Sequence, residues 1–203
     1  MSVTDAVGDQ DYFAYGFHGT TDARALTIRL TRTFEPSDNF NRYPDGGDWL
    51  GEGFYFWQDA PTRVWQWLRA PRQRRLPPPH TVIVAKVNLT RCLDLLDTRW
   101  HQALRNAHTA MRNGLAPGEQ LPINAGSRSR PNWHRLDDAV LRRVVSLANR
   151  TTTPFNSVRG AFEEGDPIFP GSALFDLAHV EIAVLEDRII SDERYEARPP
   201  WTI

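Results

Sequence analysis

Three short segments carry side chains whose types and order suit chemistry on a sugar. His18-Gly19-Thr20 closes an aromatic run, Gly51-Glu52-Gly53-Phe54-Tyr55-Phe56 follows a polar loop, and Val180-Glu181-Ile182-Ala183-Val184 is an apolar stretch holding one carboxylate. An imidazole and a carboxylate can each hydrogen-bond a ribose hydroxyl, and a tyrosine ring can stack on a flat heterocycle at offset geometry. Gly19 has no side chain, so its amide and carbonyl stay open to a closely approaching carboxamide. A carboxylate inside an apolar strand is costly without a partner, which places Glu181 at a sheet edge facing a cleft. Glu164, beside Glu163 and Gly165, is a competing carboxylate; as a loop side chain it reads as a substrate contact. Each residue also has a plainer reading. His18 among Tyr15 and Phe17 suits a packed core, and Tyr55 an ordinary aromatic strand.

Other chemistries find less support. Gly51-Glu52-Gly53 has neither the third glycine of a dinucleotide turn nor a Walker lysine, which disfavours a Rossmann or P-loop site. Its glycines instead clear space beside Tyr55. Arg69, Arg72, Arg74 and Arg75 form a dense basic run, read either as a solvated loop or as a phosphate-binding patch that Arg128 and Arg130 would extend. The histidines lack ligand spacing beside carboxylates, so no metal is expected. Cys92 is the only cysteine, which excludes a disulfide framework and leaves an inert buried thiol as the expectation.

The elements that must position these groups follow from period and punctuation. Strands are expected over 11–17, 49–57, 81–89, 155–162, 179–185 and 188–191. Thr20 or Thr21 caps a helix whose Ala23, Leu26 and Leu30 share a face. Further helices are expected over 60–69, 97–113 (Leu104, Ala107, Met111 aligned) and 132–148, the last burying Leu136, Val140, Val144 and Leu147. Residues 36–48 and 114–131 read as loops, 69–79 as a basic, proline-rich connector. The loop 163–178 holds Gly165, Pro167, Pro170 and Gly171, and loops of that length inside a domain are often functional. Strands at both ends with helices between them predict an α+β fold, and 203 residues with 40% apolar content predict a single domain spanning 1–203.

A net charge of −1 gives no global attraction to nucleic acid. No apolar run approaches the roughly 18 residues of a membrane helix, and the polar, acidic first eleven residues lack a signal-like start. The expectation is a soluble cytoplasmic protein with no membrane partner.

Taken together, these segments resemble the ADP-ribosyltransferase superfamily, in the histidine-tyrosine-glutamate branch that includes diphtheria toxin and the poly(ADP-ribose) polymerases. The likeness runs through 15–20, 51–57 and 179–187, and the run VRGAFEEGDPIFPG at 158–171 is similar to that of small stand-alone bacterial members. The resemblance implies a split β-sandwich with helices inserted between strands, gripping NAD as a substrate. His18 would then contact the adenosine-side ribose, Gly19 the carboxamide, and Tyr55 would stack on nicotinamide, with Thr20, Gly53 and Phe54 lining the dinucleotide. Glu181 would bond the nicotinamide ribose and oppose the cationic sugar as nicotinamide departs. The loop 163–178, with Glu164 and Ser172, would meet an acceptor, as would Arg72, Arg74 and Arg75. His179 stands two places before Glu181, where arginine-modifying toxins carry an acid or glutamine, which argues against an arginine acceptor. The implied activity is mono-ADP-ribosylation of protein, RNA or DNA by a bacterial toxin or defence effector that a neutralising antitoxin would restrain. An NAD glycohydrolase and a catalytically silent ADP-ribose- or RNA-binding module are the alternatives.

Overall fold

A computed structural model of the protein describes residues 12–34, 36, 48–70, 76–127, 130–151 and 153–196, with backbone alone at 125–127 and 130–133. In chain order the elements are β1 (Phe13–Thr21), α1 (Asp22–Thr31), β2 (Phe54–Gln58), α2 (Pro61–Arg69), β3 (His80–Asn88), β4 (Cys92–Asp94), α3 (His101–Asn113), β5 (Asn124–Ser127), β6 (Arg130–His134), α4 (Arg135–Ala148), β7 (Ser157–Phe162), β8 (His179–Val184) and β9 (Ile190–Glu196). Seven strands form one sheet in the order β4-β7-β8-β2-β1-β3-β9, and β5 pairs with β6 apart from it. Only β4 and β7 run parallel; the other pairs of the large sheet are antiparallel. The arrangement is α+β. No described helix is long and apolar enough to cross a membrane.

Both faces of the sheet are covered, which is why β3 is apolar without alternation from Val82 to Ala85. One face carries Ala14, Phe54, Phe56, Ile83, Ala85, Ile182 and Val184 against Ala25 and Ile28 of α1 and against Phe34. On the other, Trp57 and Val82 pack under Val64, Trp65 and Leu68 of α2, while Val158 and Ala183 pack under α3 and α4.

Several expectations need correcting. Residues 49–53 are a turn rather than the start of a strand, because Gly51 sits at φ +88°, a backbone state that ends extended pairing. Thr21 is the helix cap, accepting from the Arg24 amide at 3.3 Å. The helix it starts buries Ala25 and Ile28, leaving Leu26 and Leu30 exposed. Leu147 likewise faces solvent, while Leu141 joins Val140 and Val144 inside. Residues 124–127 and 130–134, assigned to a loop and a helix start, are the antiparallel pair β5 and β6, and β4 was not foreseen. Cys92 is buried, and desolvation pushes its thiol up to about 12, so at neutral pH it is an inert apolar side chain.

The feature that positions the site is an interruption between β1 and β2. Nine residue pairs join β1 to β3 and five join β2 to β8, but β1 and β2 pair only at Gly16↔Gln58 and Phe17↔Trp57. The sheet is split beyond that point.

Candidate functional site

Strand geometry decides what the split exposes. The Asp59 amide donates to the Tyr15 carbonyl at 3.1 Å, so the backbone groups of Tyr15 point toward β2. Period two gives the same direction to Phe17 and Gly19, and on the facing strand to Trp57 and Tyr55. Continued by one step of two residues, the register would set Gly19 opposite Tyr55, and that rung is not made. Instead the His18 ring bridges the gap, with Nδ1–H donating to the Tyr55 carbonyl at 2.8 Å.

A carbonyl only accepts, so this bond fixes the hydrogen on Nδ1 and leaves Nε2 as an acceptor. Burial lowers the His18 pKa from its ordinary value, and the charge of Arg24 adds to that, against the raising effect of the Tyr55 bond. The ring is therefore neutral at physiological pH, able to accept a hydroxyl hydrogen. It rests on Phe34 and Phe56, with centroids at 5.7 and 5.5 Å. One stability prediction follows. The unfolded chain takes up this proton first, so wild-type stability falls as pH drops below about 6.5 and levels off beneath the folded value. His18→Gln should flatten that part of the slope in denaturant melts taken across pH 4 to 8, relative to wild type.

Gly19 lies beneath α2, where a Cβ would stand 2.8 Å from Val64 Cγ1 and 3.0 Å from Leu68 Cγ. No larger residue fits there. Thr20 is buried, and Phe54 points into the core against Phe34, 5.7 Å away, so toward a ligand these two offer backbone at most. The glycine at 53 clears space for protein rather than for a ligand, since a Cβ there would meet the Val184 carbonyl at 2.8 Å.

Tyr55 is held at its tip. Its hydroxyl donates to the Gly51 carbonyl at 2.6 Å and accepts from the Leu50 amide at 2.9 Å. Burial, then the charges of Asp48 and Glu181, keeps the phenol protonated by raising its pKa well above the ordinary value. The turn that grips it is tied to α4 through Arg142, which donates to Asp138 at 2.8 Å and to Glu52 at 3.1 Å.

Glu181 lies on an interior strand rather than at the sheet edge expected of it, pairing with Gly160 on one side and Trp57 on the other, while Ala183 pairs with Tyr55. Directly opposite residues share a face, so the Glu181 carboxylate and the Tyr55 ring lie on the same side, on diagonal positions. His18, on the alternate parity, leans to the other side and reaches Tyr55 only through the split. The structure thus sets Tyr55 and Glu181 on one face of the sheet and His18 on the other, joined to Tyr55 through its backbone carbonyl.

Glu181 has a built environment. Its Oε1 lies 3.1 Å from His179 Nε2, and His179 Nδ1–H donates to the Leu177 carbonyl at 2.6 Å. The second candidate carboxylate converges on the same imidazole: Glu164 Oε2 is 4.0 Å from His179 Nδ1 and is ion-paired with Arg63 of α2. Arg63 Nε also donates to the Leu177 carbonyl, at 3.3 Å. Glu164 is therefore committed to a guanidinium, while Glu181 is held on one oxygen by His179. Trp57 and Trp65 each bury an indole N–H that has no acceptor among the described residues, a state that costs about 1–3 kcal/mol per group.

The loop 163–178 is an ordered excursion. Its base is laddered by Leu177 N–H to Glu164 O at 3.2 Å, Asp176 N–H to Asp166 O at 3.0 Å and Ile168 N–H to Leu174 O at 2.9 Å. Its tip exposes Ile168, Phe169 and Leu174 by 58–64%. Ser172 accepts from the Leu174 amide at 3.0 Å within this tip, and the contacts described for it do not join it to His18, Tyr55 or Glu181. Arg72, Arg74 and Arg75 lie outside the described residues. Among the described residues, no group of three or more His, Cys, Asp or Glu could hold a metal ion.

The sequence reading overlooked Arg63 and Trp57 and assigned His179 no part. For His179 the signal was present, since residues i and i+2 of a strand share a face. Compared with family models, curated proteins and solved structures, the chain matches none.

Proposed function

We propose that this protein is an NAD-dependent mono-ADP-ribosyltransferase with the split sheet of that superfamily, a toxin or defence effector acting on a protein or nucleic-acid acceptor. The observation that carries the reading is the unmade rung between Gly19 and Tyr55, with Glu181 on the Tyr55 side of it. A carboxamide has the donor and acceptor of a peptide unit, so the Gly19 carbonyl and amide can receive it as they would a neighbouring strand. The neutral Nε2 of His18 can accept from a ribose hydroxyl. The buried Trp57 indole N–H, on the residue opposite Glu181 on the neighbouring strand, has no acceptor among the described residues and is a donor a ligand can meet.

In the proposed step the C1′–N bond to nicotinamide breaks and its electron pair leaves on the ring nitrogen. Positive charge gathers on the ribose, where the Glu181 carboxylate opposes it in a part-buried setting. The acceptor's nucleophilic atom bonds C1′ and its proton passes to solvent. Purified protein incubated with labelled NAD and cell extract should release nicotinamide and add the mass of ADP-ribose to a macromolecule. Release without any mass gain would make it a glycohydrolase, and intact NAD would end the enzymatic reading.

The exposed loop tip gives a second test. Phe169→Ser combined with Leu174→Ser should cut transfer to the acceptor at least about tenfold while leaving slow acceptor-free nicotinamide release and the melting temperature near wild type, since surface changes alter stability by about 0.5 kcal/mol or less. Loss of both activities together would mean that the tip serves NAD binding instead.

A further inference from the structure

Glu181 does not stand alone, and the side chain against it is better buried than the carboxylate itself. The His179 side chain is 1% exposed, against 12% for Glu181. Aromatic rings surround the imidazole, with centroids of Phe162 at 5.8 Å, Trp49 at 6.1 Å and Trp57 at 6.5 Å. Its Nδ1 hydrogen is fixed by the Leu177 carbonyl at 2.6 Å, an oxygen that Arg63 Nε also holds. With Nδ1 so committed and Nε2 3.1 Å from Glu181 Oε1, one hydrogen is shared between the imidazole and the carboxylate. Glu164, 4.0 Å from Nδ1, is itself paired with Arg63.

We propose that His179 is the positioning residue of Glu181: by holding Oε1 on a ring that cannot turn, it aims Oε2 at the sugar. The inference rests on the ADP-ribosyltransferase reading and deepens it. His179 has both nitrogens engaged and is buried, so it acts through Glu181 and touches neither NAD nor acceptor. Arg63 supports it from α2 by fixing the Leu177 carbonyl and by drawing Glu164 away from Nδ1.

The test compares His179→Ala, His179→Gln and Glu181→Gln in nicotinamide release. His179→Ala should lower kcat about 10- to 100-fold with KM for NAD within about threefold, as expected of a partner that orients a reacting group. His179→Gln, whose amide can donate to Oε1, should recover most of that loss. If Glu181→Gln is inactive and His179→Ala turns over at the wild-type rate, positioning is wrong and the function stands. If Glu181→Gln itself keeps the wild-type rate, Glu181 is not the reacting carboxylate and positioning falls with it, whereas the function is wrong only if the wild-type protein releases no nicotinamide. Should His179→Ala fail to fold, ¹⁵N-imidazole spectra of the wild-type protein decide the matter. The His179 Nε2 signal should shift in Glu181→Gln, whereas no change on that substitution would overturn the proposal.

Discussion

Glu181→Gln is expected to lower NAD turnover by about 10²- to 10³-fold while NAD affinity changes by no more than about threefold. Glutamine keeps the shape and can still hydrogen-bond a ribose hydroxyl, so ground-state binding survives. What it lacks is the negative charge, and charge matters only as the nicotinamide bond breaks and the sugar turns cationic. The side chain is 12% exposed and hydrogen-bonded on one oxygen, so water screens it less than a surface carboxylate. The loss should fall on kcat. Glu164→Gln is the companion measurement: with its carboxylate already paired to Arg63, it should lose far less turnover than Glu181→Gln. Equal losses would mean that the two carboxylates act as one unit, and wild-type turnover by Glu181→Gln would remove it from the chemistry.

What was legible in the sequence tracks how much each feature depends on neighbours along the chain. β3 was readable because a strand covered on both faces is apolar through its middle, and β8 because apolar residues flank its one carboxylate. The helix at 101–113 was readable because Leu104, Ala107 and Met111 keep a helical period against one core. The first helix was misphased because its true buried side is small, Ala25 and Ile28, while the larger Leu26 and Leu30 dominate the pattern from outside. Trp49 to Gly53 looked like strand by composition, yet a left-handed Gly51 turns the chain there so that its carbonyl meets the Tyr55 hydroxyl.

At the candidate site, His18, Tyr55 and Glu181 were chosen by residue type and order. Their geometry was not, since the parity of three strands and the place where pairing stops depend on a register between segments far apart in sequence. The split itself has a local cause that composition hides. Gly16 and Gly19 leave β1 thin on both sides, with Phe56 filling the first gap and Val64 and Leu68 the second. Side chains from the facing strand and the following helix thus occupy the room that Cβ atoms would take. The arrangement holds the two strands close at Phe17 and lets them part beyond it.

The second large effect concerns what lies under that parting. Phe56 is fully buried, with its ring 5.6 Å from Phe34 and 5.5 Å from His18. Phe56→Ala should destabilise the fold by about 3–5 kcal/mol, from lost apolar transfer plus the cavity left behind. For a chain of this size that lowers the melting temperature by about 10 °C or more. Phe54→Ala removes a similar ring from the same core, packed on Phe34 at 5.7 Å, and should cost a comparable amount. The two differ in what they do to His18. Without Phe56 the imidazole loses one wall of its seat, so its bond to the Tyr55 carbonyl should loosen and NAD affinity fall about tenfold, whereas Phe54→Ala leaves that wall in place and should bind NAD nearly as wild type does. Denaturant melts and equilibrium NAD binding on both variants, at a temperature where each is folded, separate the contributions. If the two lose affinity equally, the ring under His18 serves stability alone and the imidazole is held by its carbonyl bond without help from the core.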